Sequence, residues 1–164
     1  MNEQQAVEQA RATFITEDNI HGCAETTLMV LQQAYGLPTA TDSSPAMALN
    51  GGVAWSGGCC GAITGAAMAV GRLAAQRIAD HKEAKRTARS IIKRLMDDFR
   101  AEYDHVNCRD LVGLDISSEE GHAAFIESQV WHTVCMNQIE FSLRKLVALQ
   151  DDQVWRETIR QLQT

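Results

Sequence analysis

The sequence predicts an all-α protein: a single-domain, multi-helix bundle spanning residues 1–164, with a Gly/Ala-rich central helix. Three observations carry this expectation. Apolar residues recur at helical rather than alternating spacing, and no hairpin dipeptide sits between β-branched runs. Only two prolines interrupt a composition rich in good helix formers. With 45% hydrophobic and 22% charged residues, a chain of this length can bury a core without staples.

Taken in order, residues 4–14 and 24–35 are the first candidate helices, the second stopped by Gly36 and Pro38. Residues 38–45 form the one Pro/Ser/Thr-rich connector. A Gly/Ala-rich helix then opens at Cys60 and runs to residue 79, with Gly61, Gly65 and Gly71 among Ala62, Ala66, Ala67 and Ala69. Glycine inside a helix costs about 0.5–1 kcal/mol relative to alanine. Something must offset that cost: a closely approaching helix, a second subunit, or a bulky centre beside Cys60.

The clearest helix covers residues 80–103, where Ala84, Ala88, Ile91, Ile92, Leu95, Met96, Phe99 and Tyr103 form one stripe. Its opposite face carries Lys82, Lys85, Arg86, Arg89, Lys93 and Arg94. Ser117 and Glu120 have capping-box spacing and predict a helix opening near residue 118. A last helix is expected over residues 131–149, with Ile139, Leu143, Leu146 and Val147 on one side. Trp55, Trp131 and Trp155, with Met29, Met68, Met96 and Met136, read as core or subunit interface.

A formal charge of −6 argues against a nucleic-acid partner. Nine of the fifteen Lys and Arg residues lie between Arg72 and Arg100, and they read as a solvated helix face. The N-terminal residues lack a basic stretch followed by an apolar one, and the apolar run over residues 59–75 is interrupted by Arg72. No membrane insertion and a cytoplasmic location are therefore expected. The adjacent carboxylates Asp97-Asp98, Glu119-Glu120 and Asp151-Asp152 point to different helix faces and make poor acid–base pairs. Neither a Ser-His-Asp order nor an HExxH motif suggests a hydrolase, and no Gly-Lys-Ser/Thr follows the glycines.

Five cysteines are the chemically informative residues: Cys23, Cys59, Cys60, Cys108 and Cys135. No CxxC is present, so any shared site must be assembled by the fold. In a reducing compartment several cysteines point to metal binding or redox chemistry rather than structural disulfides. Cys23, Cys60 and Cys108 each fall where a helix is expected to begin, Cys108 behind the capping residue Asn107. Unpaired N–H groups and the helix dipole favour a thiolate there, and such placement can lower a thiol below its free value of about 8.5.

Cys60-Gly61-Ala62-Ile63-Thr64-Gly65 follows a run containing Gly51, Gly52, Gly57 and Gly58. Cys23-Ala24-Glu25 stands upstream, with Cys108-Arg109-Asp110-Leu111-Val112-Gly113 and Cys135 downstream. This ordered set closely resembles the C_GCAxxG_C_C family, small proteins named for four characteristic cysteines around a glycine hexapeptide. The likeness covers about residues 20–149. It implies that Cys23, Cys60, Cys108 and Cys135 are the four family cysteines, with an electron-transfer or thiol-redox role; a related helical domain occurs in split-Soret cytochromes. The chain departs from the pattern in having Cys59 beside Cys60, which makes Cys59 an auxiliary candidate. It has no CxxCH for covalent haem attachment.

Three chemistries follow. Four thiolates match the ligand count of an iron–sulfur cluster used for electron transfer, with His21 and His132 as substitute ligands. A metal-free thiol–disulfide protein or sensor needs an attacking and a resolving thiol from the same set. A structural zinc site in a helical interaction module needs the same four ligands, though the usual close pairs are absent. A homodimer or larger homo-oligomer through the small-residue helix surface, and an unidentified redox partner, complete the expectation.

Overall fold

The computed structural model describes residues 1–162. It is all-α: α1 (Glu3–Phe14), α2 (Cys23–Ala34), α3 (Gly61–Arg77), α4 (His81–Tyr103), α5 (Cys108–Val112), α6 (Glu119–Ser128), α7 (Val134–Leu146) and α8 (Asp152–Leu162). Short 3₁₀ turns cover Ser44–Leu49, Val130–His132 and Val147–Gln150. Among the described residues the only β-type pairing is an isolated antiparallel bridge between Cys59 and Asn107.

Helix α2 is the most enclosed element, every residue except Gln33 being buried. It packs against α1, α3 and α7, while α3 carries α4 on its other side. The α2–α3 contact explains the interior glycines. A Cβ on Gly65 would collide with the Ala24 carbonyl, and one on Gly61 would overlap the Cys23 sulfur. Gly71 has nothing within 4 Å, so it admits no neighbour within the chain. Of the explanations open for the glycines, close helix approach holds at Gly65 and Gly61, and at Gly61 the space is taken by the Cys23 sulfur rather than by a centre beside Cys60.

Helix α4 behaves as its stripe demands: Ala84, Ile91, Leu95 and Phe99 are buried. Lys82, Lys85, Arg86, Arg89, Lys93 and Arg94 are exposed. Asp80 caps it by accepting the Glu83 N–H at 2.8 Å, and Asp104 closes it in the left-handed conformation. The cap of α6 is Ser118 rather than Ser117. Ser118 Oγ accepts the Gly121 N–H at 3.0 Å, whereas the Ser117 hydroxyl is taken by Asp115 at 2.6 Å. The helix expected over residues 131–149 is broken into a 3₁₀ turn, α7 and a second 3₁₀ turn. Gln129 is left-handed, and Trp131 turns inward to meet Phe14 edge-on, which prevents a continuous helix from residue 131.

Helix α8 escaped the periodicity reading. Its Trp155 is buried, and Arg77 lies over the indole at 5.2 Å. Trp131, Met29 and Met136 are core residues, but Trp55 is 38% exposed and Met68 and Met96 are half-buried. Among the described residues no helix is long and apolar enough to cross a membrane.

Residues 51–55 form an unusual left-handed turn, with φ of 64° at Gly51, 71° at Gly52, 67° at Val53, 50° at Ala54 and 61° at Trp55. Wide backbone bonds hold it: Ala54 N–H to Ala48 O at 2.8 Å, and Gly58 N–H to Gly52 O at 3.0 Å. Each non-glycine residue in this conformation costs roughly 1–2 kcal/mol. The turn swings the Trp55 ring onto His122 and Phe125 of α6, at 4.4 and 5.7 Å between centroids.

Candidate functional site

Four cysteines from four helix starts converge beneath this turn. Cys23 is the first residue of α2, Cys60 the N-cap of α3, Cys108 the first residue of α5 and Cys135 the second residue of α7. The sequence marked three of these as helix starts; Cys135 joins them because the broken C-terminal segment restarts at Val134. All four are buried, and all five cysteines are free thiols.

The bridge explains which thiol of the adjacent pair points inward. Cys60 N–H donates to Val106 O at 2.8 Å, and Cys108 N–H donates to Gly58 O at 2.6 Å. Side chains alternate across extended backbone, so Cys60 and Cys108 share one face while Cys59, opposite Asn107, takes the other. Cys59 is accordingly half-buried, near the Arg100 charge, and does not line the thiol cavity.

That cavity measures about 200 Å³, and Cys23, Cys108 and Cys135 line it, with Glu25 and Asn50 beside them. Glu25 is buried and accepts three hydrogen bonds: from Gly22 N–H at 2.9 Å, Ser43 Oγ at 3.0 Å and Asn50 Nδ2 at 2.8 Å. Asn50 in turn accepts the Ala24 N–H at 3.0 Å, with the Cys23 thiol 4.0 Å from the same oxygen. Glu25 and Asn50 thus tie the left-handed turn to the start of α2. On the far side, the Cys60 thiol donates to the buried Gln138 Oε1 at 3.4 Å.

Helix-start placement does not make these thiols acidic. Burial pushes every one of them up. Cys23 is raised by burial, against opposing N–H groups of Gly51, Ala24 and Gly61 and its own N–H. Cys60 and Cys135 stand well above the ordinary thiol value through burial and then through the charge of Cys23. Cys108 is pushed up to about 12 by burial and by Cys23. Desolvation of a charge in the interior outweighs a few aligned N–H groups, which corrects the expectation of thiolates at helix starts.

Neither His21 nor His132 lines the cavity; the His132 ring meets Trp131 edge-on, with centroids 3.8 Å apart. Among the described residues, no three His, Cys, Asp or Glu side chains stand close enough together to grip one metal ion. Cys23, Cys108 and Cys135 border a space, and Cys60 lies outside its lining against Gln138. Glu25 enters the sequence pattern only as part of Cys23-Ala24-Glu25, with no role of its own, and Asn50 and Gln138 do not enter it. Glu25 had a usable signal, three residues after Gly22 at capping-box spacing, and Gln138 lies three residues after Cys135 on the same helix face. Asn50 had none, since only the chain's path brings it to Cys23.

No match is found among curated proteins or among solved structures. Residues 21–149 match the family model described as "Putative redox-active protein (C_GCAxxG_C_C)". With that match spanning most of the chain, and with Cys23, Cys60, Cys108 and Cys135 all buried at helix starts, the protein belongs to the C_GCAxxG_C_C redox-active family.

Proposed function

We propose that Cys23, Cys60, Cys108 and Cys135 are thiolate ligands of a redox metal centre, most simply an iron–sulfur cluster exchanging electrons with a protein partner. The observation that carries this reading is the convergence of four buried thiols that repel one another's ionisation. Four neighbouring thiolates in a dry interior are stable only beside compensating positive charge, and no Lys or Arg lines the cavity. The donor set fits: thiolates are soft ligands, and four is the count that clusters use. A space bordered by thiols suits a multinuclear centre better than a single zinc ion, for which no three ligands are ready. A bound cluster would supply one-electron exchange.

The chain's own residues exclude water, hold the ligands on four rigid helix starts, and aim Gln138 at Cys60. The reading places the protein in the cytoplasm and pairs it with a second copy through the open α3 face around Gly71, which sedimentation of the purified chain tests.

Anaerobic reconstitution followed by iron, sulfide and optical measurement tests the centre. Iron with acid-labile sulfide and a visible charge-transfer band is expected, lost in Cys→Ser variants at the four positions and retained in Cys59→Ser. Stoichiometric zinc without redox change, or no metal at all, overturns it.

The free, protonated state of the thiols favours a second reading, a dithiol–disulfide couple in which two thiols give up two electrons and two protons to hydrogen peroxide, leaving a disulfide and two water molecules. A specific crosslink after mild peroxide, seen by mass spectrometry of the metal-free chain, supports it. Uniform alkylation of all five cysteines after that treatment sinks it.

A further inference from the structure

We propose that the cavity above the thiols binds a neutral, single-ring aromatic compound and presents it to Cys23, Cys108 and Cys135. The use made of those thiols rests on the dithiol–disulfide reading above, in which they stand free and protonated; the binding does not.

Size comes first. At about 200 Å³ the cavity exceeds the roughly 150 Å³ of a dry apolar cavity that takes up benzene, and falls short of the roughly 300–1,000 Å³ typical of drug-sized sites. A dinucleotide or a folded segment of a partner is therefore too large.

The walls select an aromatic ring. Phe14 and Trp131 meet edge-to-face at 5.6 Å, and Trp55 meets Phe125 in the same way at 5.7 Å. All four line the cavity, offering ring edges and faces to a flat guest. Ile20 and Met47 also line it, and are 67% and 61% exposed.

The electrostatics select a neutral guest. Among the described residues no Lys, Arg or His lines the cavity, so an anion would find no countercharge. The one charged lining group, Glu25, already accepts three hydrogen bonds, and Asn50 is held between Glu25 and the Ala24 N–H. The polar atoms of Glu25 and Asn50 are occupied, Asn19 is the one further polar side chain in the lining and is exposed, and the raised thiols are uncharged.

Anisole, benzoate and benzylamine, titrated into the reduced protein with ligand-observed NMR, probe the three charge states on one ring. Saturable binding of anisole, at least tenfold tighter than benzoate or benzylamine, is expected. Ile20→Asp and Met47→Asp each place a carboxylate at a solvent-facing lining position and should weaken anisole binding by about tenfold. Val154→Asp, on α8 away from the cavity, should leave it unchanged. Absence of saturable binding overturns the proposal, as does equal binding of benzoate or tighter binding of benzylamine. Iron analysis of the same sample separates the two readings. A protein that carries a cluster and binds no ring assigns the cavity to the cluster and overturns the inference alone; a protein that binds the ring but shows neither metal nor thiol oxidation overturns the redox reading alone.

Discussion

Raising the pH of the reduced, metal-free chain from about 8 to about 10 should destabilise it steeply. Cys60, Cys108 and Cys135 are held above the ordinary thiol range by burial and by Cys23, with Cys108 at about 12. In the unfolded chain each returns to about 8.5. Above that value the unfolded state binds fewer protons than the fold, so stability falls as pH rises and is fully present only below it. Each thiol contributes a slope of about 1.4 kcal/mol per pH unit, hence roughly 2 kcal/mol lost by about pH 10. Three such thiols lose roughly 6 kcal/mol together, comparable with the whole stability of an ordinary domain. Urea unfolding followed by circular dichroism, without oxygen and with reductant, measures this. Cys135→Ala should remove about one thiol's share of the slope, whatever its effect on stability at neutral pH. A midpoint that stays flat between the two pH values refutes the assignment of buried protonated thiols. A chain whose thiols are held by metal behaves oppositely, losing stability on acidification as protons compete for the ligands.

The two classes of glycine in α3 should respond to alanine with opposite signs. Gly65→Ala drives a methyl into the Ala24 carbonyl and should cost about 1–3 kcal/mol or more, whereas Gly71→Ala meets nothing within 4 Å and should stabilise by about 0.5–1 kcal/mol, both read from urea midpoints. Ala54→Gly relieves a left-handed alanine at φ 50° and should raise stability by about 1 kcal/mol; an unchanged or lower midpoint shows that the turn is not strained there. Glu25→Ala strands the donors of Gly22, Ser43 and Asn50 and should cost about 3 kcal/mol. It should also free the turn, so that Cys23 alkylates faster than in the parent at equal folded fraction.

The helical class is legible in the chain alone, because an apolar stripe such as Ala84, Ile91, Leu95 and Phe99 is a local, periodic property. The resemblance that identified the four cysteines is legible there too, since their order and spacing are carried by the chain. Helix ends were legible where the cap is local, as at Asp80, and slipped by a residue where two serines compete, as at Ser117 and Ser118. The break at Trp131 was hidden, because the force turning that ring inward is Phe14, more than a hundred residues away.

That Cys60 turns into the interior on the same face as Cys108 while Cys59 does not follows from a two-residue bridge that no periodicity announces. Tertiary packing also sets the sign of the thiols' shifts. A helix start is written in the sequence and favours the thiolate, but burial depends on which helices close over the site, and removing water from a charge is the larger effect. The five cysteines of the chain therefore resolve into four buried thiols that oppose one another's ionisation and one turned away, a division set by packing rather than by their neighbours in sequence.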